Sequence, residues 1–200
     1  MDQRKTVFLD IGGVVLTNGW DHHSRMKAAA HFRIDYPAMD ALHNFIFNIY
    51  EIGQITLDQY LDTVVFNVKR DFTHQQFADF IRDQSEPLPG MIPWLSGWKK
   101  RTGTRVIAIN NEGKELNDYR IDKFNLRDCF DAFVSSCEVG MRKPDPGIFN
   151  LALGIAHSKP EHSIYFDDRP MLASAAARLG IQAHVHDTFE TTKSILENIN

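Results

Sequence analysis

The chain is poor in cysteine and in long apolar runs. Its two cysteines, Cys129 and Cys137, form no CxxC spacing, so neither a disulfide framework nor a cysteine-based zinc or redox site is expected. No apolar run is long enough to cross a bilayer, and the run that Asp10 interrupts near the start is too short for the core of a signal peptide. These absences predict a cytoplasmic protein.

Basic residues are also scarce. The chain carries 22 Lys and Arg against 26 Asp and Glu, a formal net charge of −4, and its longest basic run is Lys99-Lys100-Arg101. Nucleic-acid-binding domains present a basic face, and proteins held at membrane surfaces by charge carry clusters of lysine and arginine. We therefore expect neither a nucleic-acid partner nor a membrane partner, and nothing in the sequence predicts an oligomeric state.

Internal repeats, low-complexity tracts, P-loops and GxGxxG fingerprints are absent as well. What remains is the composition of a folded domain, with 43% hydrophobic and 24% charged residues in a chain of 200 residues. That length suits one domain, or one core with a modest insertion.

Short apolar runs alternate with helical patterns in the second half of the chain. Runs such as Val106-Ile107-Ala108-Ile109 are apolar throughout, which is typical of a parallel sheet covered on both faces. The pattern therefore predicts a doubly wound parallel α/β fold. The predicted strands span residues 6–9, 105–109, 132–135, 163–166 and 182–185, and the predicted helices 114–124, 146–156, 171–179 and 188–199.

The segment from residue 21 to residue 84 shows helical patterns with no strand between them. Five apolar residues fall on one helix face, as in an amphipathic helix: Leu42, Phe45, Ile46, Ile49 and Tyr50. Thr56 with Gln59 has the form of a capping box, and Thr73 with Gln76 opens a further helix. We therefore expect a helical subdomain at residues 20–85, inserted into a core formed by residues 1–19 and 86–200.

Polar residues collect where the predicted strands end, the edge at which parallel sheets bind ligands. They are Asp10, Asn110, Asn111, Lys143, Asp167 and Asp168. Clustered carboxylates repel one another unless a cation lies between them, and Mg²⁺ is the usual hard cation for oxygen ligands. A carboxylate can also act as a nucleophile when a metal and a lysine stabilise the charge on a phosphoryl group.

At this point the chain resembles the haloacid dehalogenase-like (HAD) superfamily, whose four motifs are matched in order over nearly the whole chain. Asp10, in Phe8-Leu9-Asp10-Ile11-Gly12-Gly13-Val14-Val15, is similar to the nucleophile of the first motif. Asn110 occupies the second motif, Lys143 the third and Asp167-Asp168 the fourth. The resemblance implies a Rossmann-like core, Mg²⁺ as the cofactor, and a small helical cap that closes over the substrate.

The resemblance also implies roles for individual residues. The predicted catalytic residues are Asp10, Asn110 and Lys143. The predicted metal ligands are Asp10, the Gly12 carbonyl, Asp168 and Asp167. The predicted substrate contacts are Gly12, Gly13, Asn111 and Trp20, with cap–core packing as the alternative role of Trp20.

Three positions depart from the superfamily's pattern. Gly12 stands where phosphatases of the family usually carry a second aspartate, the general acid and base, whose loss costs roughly 10²–10⁴ in rate. Asn110 replaces a serine or threonine, and its amide can still donate to a phosphoryl oxygen. Leu172 replaces an additional acid that many relatives carry. Either the substrate has an acidic leaving group, such as the anomeric oxygen of a sugar 1-phosphate, or the protein is a weak or inactive relative.

The favoured hypothesis is a hydrolase, a Mg²⁺-dependent phosphatase of a small phosphorylated metabolite, possibly a sugar phosphate, that acts through an aspartyl phosphate. This places it in the sugar-phosphatase-like branch. Two alternatives stay open. A metal-free haloacid dehalogenase also uses an aspartate nucleophile, although Asp167 and Asp168 would repel its anionic substrate. A catalytically silent binding or regulatory protein is the third, and Gly12 is its main support.

Overall fold

Five short apolar segments form a parallel sheet in the computed structural model, which describes residues 5–199. The outer ends of the two predicted core segments, residues 1–4 and residue 200, lie outside the described residues. The strands are β1 Thr6–Leu9, β2 Val106–Asn110, β3 Ala132–Ser135, β4 Ser163–Asp167 and β5 Gln182–Val185. Their order in the sheet is β3-β2-β1-β4-β5. The predicted doubly wound α/β fold is confirmed.

Helices occupy most of the remaining chain. They are α1 His22–Phe32, α2 Tyr36–Glu51, α3 Leu57–Val64, α4 His74–Asp83, α5 Met91–Thr102, α6 Lys114–Lys123, α7 Ser136–Val139, α8 Pro146–Ala156, α9 Pro170–Ala177 and α10 Phe189–Glu197, with single 3₁₀ turns at Leu126–Asp128 and Pro160–His162. The short helix α7 was not predicted, because four residues are too few for a periodic pattern. In the described part of the chain, no helix combines the length and apolarity of a membrane span.

The sheet divides the core into two apolar layers. Successive side chains of a strand point to opposite faces. Val7 and Leu9 of β1 accordingly pack in one layer with Trp98 of α5, while Phe8 packs in the other with Phe149 of α8. All residues of β1, β2 and β4 are buried, which explains why their sequences read as continuous apolar runs.

The helices α1–α4 lie between β1 and α5 and have an apolar cluster of their own. Tyr60 and Phe77 are fully buried in it, and Leu116 of α6 joins it from the core. The capping box of Thr56 and Gln59 is present at the start of α3, and an equivalent box begins α4. These helices occupy the segment expected to form the cap, and its division from the core at residues 20 and 85 stays a prediction.

The buried side of α2 coincides only in part with its apolar face, because Leu42, Ile46 and Tyr50 pack in the helical cluster but Phe45 and Ile49 do not. Phe45 is 79% exposed and Ile49 is 39% exposed, whereas His43, Tyr50 and Glu51 are buried. Periodicity identifies the apolar side of a helix, but neighbouring elements decide which side is covered. The polar side of α2 is turned toward a cavity at the strand ends.

The four-helix segment is docked tightly on the core. A Cβ added to Gly113, which precedes α6, would lie 2.1 Å from the ring of Tyr50 of α2. The Leu57 N–H donates to the Glu115 carboxylate of α6 at 2.9 Å. A Cβ on Gly53, just beyond α2, would lie 2.1 Å from the Cys137 carbonyl oxygen. The ends of α2 and α3 are thus fixed relative to the sheet.

We expect Gly113→Ala to destabilise the protein by about 1–3 kcal/mol, because the new methyl group overlaps the Tyr50 ring in a well-packed contact. Gly154→Ala is the matched control, because Gly154 lies in α8 with no atom within 4 Å of its missing Cβ. That variant should gain up to about 1 kcal/mol from helix propensity. Urea denaturation measures both, and a Gly113→Ala variant as stable as the parent would contradict the docking.

Candidate active site

The end of the central strand carries the first aspartate. β1 lies between β2 and β4, where the strand order reverses, and this switch point is where doubly wound sheets form a crevice. The Asp10 N–H donates to the Phe166 carbonyl at 2.9 Å, which continues the pairing of β1 with β4. The Ile11 N–H donates to Asp10 Oδ1 at 2.8 Å. Asp10 is therefore held at the edge of the sheet and is 8% exposed.

A buried lysine joins two of the aspartates. Lys143 is 1% exposed, and its Nζ lies 3.0 Å from Asp10 Oδ1 and 2.8 Å from Asp167 Oδ2. The same ammonium donates to the Tyr165 hydroxyl at 3.0 Å, and that hydroxyl donates to Asp167 Oδ2. A buried ammonium is tolerated only with partners of opposite charge, so these side chains stabilise one another's positions.

The two carboxylates differ in their affinity for protons. Burial raises the pKa of Asp10 to about 6, against the attraction of Lys143. Burial also acts to raise the pKa of Asp167, but attraction to Lys143 and hydrogen bonds from Lys143 and Tyr165 leave it below its usual value. Asp167 is therefore the permanent counter-ion of the lysine.

Three carboxylates are close enough to share a metal ion. Oxygen atoms of Asp10, Asp167 and Asp168 lie within 4.8 Å of one another. Asp168 accepts a hydrogen bond from Asn18 Nδ2 at 3.0 Å on Oδ2, whereas its buried Oδ1 has no donor among residues 5–199. Both oxygens of Asp167 already accept hydrogen bonds, one of them from the Arg169 N–H at 2.9 Å. The donor-free oxygen of Asp168 is the atom best suited to a hard cation.

The glycine pair lets the backbone approach these acids. Gly13 has a φ of +70°, and a Cβ there would lie 2.2 Å from Asp168 Oδ2. A Cβ on Gly12 would lie 2.9 Å from Asn18 Oδ1. No hydrogen bond to the Gly12 carbonyl is found within residues 5–199, so that oxygen is also unengaged.

The two asparagines after β2 have different surroundings. Asn110 donates to Asn117 Oδ1 at 3.1 Å and accepts from Ser135 Oγ at 2.8 Å, which leaves one N–H of its amide for a ligand. Asn111 donates to the Lys143 carbonyl at 2.9 Å and accepts from the Lys143 N–H at 2.8 Å. Asn111, predicted to contact substrate, is thus engaged with the backbone of Lys143 and positions that lysine.

A cavity of about 330 Å³ lies between the strand ends and the four-helix segment. The core residues described above that line it are Asp10, Gly12, Asn110, Asn111 and Lys143. Trp20 borders it, donates from Nε1 to the Tyr60 hydroxyl at 2.7 Å, and packs edge-on against Phe77. Trp20 therefore packs within the helical segment and also forms part of the cavity wall. Polar side chains of α2 complete the wall: His43, Asn44, Asn48 and Glu51.

Two ion pairs in this cavity were not predicted. Glu112 pairs with Arg120 at 2.8 Å, and both side chains are buried. Glu51 of α2 lies 2.7 Å from Arg142 Nε, and burial raises the pKa of Glu51 to about 7. Glu112 directly follows the asparagines at the end of β2, so the sequence could have identified it as a residue of the site. Glu51 lies within a helix, and no local pattern distinguishes it from a solvent-facing glutamate.

Comparison with known proteins identifies the family to which the chain belongs. The model of the haloacid dehalogenase-like hydrolases matches residues 4–180. The chain is 30% identical over 134 residues to bifunctional epoxide hydrolase 2 of Mus musculus, which covers 64% of this chain and 24% of that protein. It is 33% identical over 87 residues to pyrimidine 5′-nucleotidase YjjG of Escherichia coli, which covers 44% of this chain and 38% of that protein. The chain thus matches less than two fifths of either relative.

Solved structures resemble the whole chain. A HAD family enzyme from Bacteroides thetaiotaomicron has a TM-score of 0.81 at 20% identity, with 96% of this chain and 98% of that chain covered. The same enzyme in complex with magnesium and inorganic phosphate has a TM-score of 0.76 at 19% identity, with 94% and 98% covered. At this level of identity the likeness shows a shared fold.

We expect Gly13→Ala to weaken Mg²⁺ binding by about 10–100-fold, because its methyl group would displace the Asp168 carboxylate. Gly140→Ala is the matched control, since Gly140 has a similar φ of +67° with no atom within 4 Å of a Cβ. Both variants carry the cost of a left-handed backbone, about 1–2 kcal/mol, but only one disturbs the carboxylate. Calorimetric titration with Mg²⁺ measures the affinity, and equal losses in both variants would contradict this site.

Proposed function

Because the chain belongs to the haloacid dehalogenase-like hydrolase family, we propose that it is a Mg²⁺-dependent phosphatase of a small phosphorylated metabolite. One observation carries the proposal: the buried Lys143 holds Asp10 at the strand ends, near an Asp168 oxygen that has no hydrogen-bond donor in the described part of the chain. The complex of the similar Bacteroides enzyme with magnesium and inorganic phosphate supports the assignment, as does the nucleotidase among the relatives.

Asp10 is the proposed nucleophile. Within the described chain, the hydrogen bond from Ile11 and the ion pair with Lys143 both involve Oδ1, which leaves Oδ2 to attack phosphorus. A bond forms between Asp10 Oδ2 and phosphorus while the bond from phosphorus to the leaving oxygen breaks, which gives an aspartyl phosphate. Water then attacks phosphorus, phosphate departs, and the Asp10 carboxylate is restored.

The surrounding residues manage the negative charge. Asp10, the Gly12 carbonyl and Asp168 would hold Mg²⁺, and Asp167 would remain the partner of Lys143. When bound, the cation supplies positive charge to the phosphoryl oxygens in a site of three carboxylates. Lys143 and the remaining N–H of Asn110 would donate to the same oxygens.

The cavity limits the substrate to a small molecule. Its volume of about 330 Å³ is at the low end of ligand pockets, and the side chains that α2 contributes are mainly polar. Residues 20–85 would act as the cap, with Trp20 against the substrate. A phosphorylated sugar satisfies these constraints, because its hydroxyl groups can pair with Asn44 and Asn48.

Two other functions remain as outcomes of the test. A metal-free haloacid dehalogenase would leave the buried Asp168 Oδ1 without a partner. A catalytically silent binding protein is favoured only by Gly12, where a proton-donating aspartate is missing.

We expect Asp10→Asn to lower phosphatase turnover by at least about 10³-fold, because an amide cannot form the aspartyl phosphate. The measurement is release of inorganic phosphate from a panel of phosphorylated sugars and nucleotides, with Mg²⁺ or with a chelator. Asp145→Asn is the matched control, since Asp145 caps α8 through a hydrogen bond from Gly147 at 2.7 Å, a role that asparagine fills equally well.

Each competing function gives its own result. Turnover that survives in Asp10→Asn would remove Asp10 as the nucleophile. Halide release from a haloacid in the presence of chelator would indicate a dehalogenase. No turnover across the panel, together with no binding of a beryllofluoride mimic of the phosphoryl group, would indicate a silent binding protein.

A further inference from the structure

The missing aspartate at position 12 leaves the leaving group without a proton donor on the core. In-line displacement places the leaving oxygen on the side of phosphorus opposite Asp10. Asp10 lies at the strand ends, and the facing wall of the cavity is formed by the helical segment. A proton donor for an ordinary alcohol leaving group would therefore have to come from that segment.

Four carboxylates line the cavity, and three have other roles. Asp10 is the proposed nucleophile. Glu112 accepts from Arg120 at 2.8 Å on one oxygen and from the Gly113 N–H at 3.1 Å on the other. Asp21 caps α1 by accepting from the Ser24 N–H at 2.8 Å. The fourth carboxylate is Glu51, which forms an ion pair with Arg142 at 2.7 Å, but its Oε2 accepts no hydrogen bond within residues 5–199.

Two histidines line the cavity, and neither suits this role. His22 is exposed at the start of α1, and its Nδ1 lies 2.7 Å from the Tyr36 hydroxyl. His43 also lines the cavity, but burial lowers its pKa to about 3, with the positive charge of Arg25 acting in the same direction. Its Nδ1 is 2.8 Å from the Tyr60 hydroxyl. His43 is thus a neutral imidazole at neutral pH and has no imidazolium proton to donate.

We propose that Glu51 is the catalytic acid and base that replaces the missing aspartate. Its side chain lies on the last turn of α2, is buried, and lines the same cavity as Asp10 and Lys143. Within the described residues, its buried Oε2 accepts no hydrogen bond, although Arg142 Nε lies 2.7 Å away in an ion pair. This inference rests on the proposed phosphatase function.

The backbone of Glu51 is fixed to the catalytic edge of the sheet. Ser136 Oγ donates to the Glu51 carbonyl at 2.6 Å and accepts from the Glu112 N–H at 3.0 Å. One hydroxyl therefore ties the end of α2 to the loop that follows β2. A catalytic group on the helical segment gains from this link the fixed position that proton transfer requires.

The charges around Glu51 suit both roles. Burial raises its pKa to about 7, and repulsion from Glu112 acts in the same direction, while Arg142, Arg169 and Lys143 oppose it. A carboxyl group with a pKa near the working pH exists in both protonation states, as a group that donates and then accepts a proton must.

The proton balance closes over one cycle. When Asp10 Oδ2 attacks phosphorus and the ester bond breaks, protonated Glu51 gives its proton to the leaving oxygen, which departs as an alcohol. In the second step the Glu51 carboxylate takes a proton from the attacking water. Phosphate leaves, and both Asp10 and Glu51 return to their starting states.

The test compares two esters of similar size in the first turnover. The leaving group of 4-nitrophenyl phosphate is stable as an anion, whereas that of benzyl phosphate needs a proton. In Glu51→Gln with Mg²⁺, we expect the burst of 4-nitrophenolate to stay within about threefold of the parent rate, because its departure needs no acid. First-turnover release of benzyl alcohol should fall by about 10²–10⁴-fold. After the burst, steady-state turnover of 4-nitrophenyl phosphate should slow and phosphoenzyme should accumulate.

The pH profile provides a second readout. Benzyl phosphate cleavage by the parent should decline above about pH 7, as Glu51 loses its proton, and this decline should be absent in Glu51→Gln. The burst with 4-nitrophenyl phosphate should lack the decline in both proteins.

Asp21→Asn is the matched control, because it removes a carboxylate from the same cavity and keeps the cap of α1. Its ratio of benzyl phosphate to 4-nitrophenyl phosphate cleavage rates should equal that of the parent.

Other outcomes would overturn the inference. Equal loss on both esters in Glu51→Gln indicates a structural role for Glu51, and no loss on either indicates no role. A parent enzyme that cleaves 4-nitrophenyl phosphate but not benzyl phosphate lacks a proton donor altogether. If the parent with Mg²⁺ hydrolyses neither ester, the proposed phosphatase function is removed, and the role of Glu51 with it.

Discussion

The ammonium of Lys143 is the interaction on which the rest of the site depends. It is buried and lies within 3.0 Å of both Asp10 and Asp167. Without it, two buried carboxylates at neighbouring strand ends would repel each other and one would take up a proton. The fold supports this lysine from two sides. The Tyr165 hydroxyl on β4 accepts from its ammonium, and the side-chain carboxamide of Asn111 both donates to and accepts from its backbone.

The second constraint is the fixed contact between the helical segment and the core. Gly53 lies against the Cys137 carbonyl and Gly113 against the Tyr50 ring, at distances that a side chain on either glycine would not permit. Ser136 joins α2 to the loop after β2. A cavity formed between two tightly docked parts can combine groups from both, which a site confined to the strand ends cannot. In the cycle proposed above, the core supplies the nucleophile and the helical segment supplies the acid.

Much of the core was predictable because its signals are local. Continuous apolar runs predicted the strands within a residue or so at each end, since strands buried on both faces cannot alternate. Asp10, Lys143 and Asp168 were predicted because the carboxyl ends of parallel strands meet at one edge of the sheet. The face of α2 was predicted only in part. Tyr50 is buried as expected, but Phe45 is apolar yet 79% exposed, because no element among residues 5–199 covers it.

The sequence by itself determined the fold class, the family and the residues at the strand ends, because periodicity and motif order are properties of neighbouring positions along the chain. Tertiary structure alone decided that Asn111 holds the Lys143 backbone and that Glu51 is buried in the cavity. Burial and partner choice depend on which distant segments meet, and Glu51 lies 41 residues along the chain from Asp10. A glutamate on a helix acquires its raised pKa only when the packing of α2 against the core removes it from water.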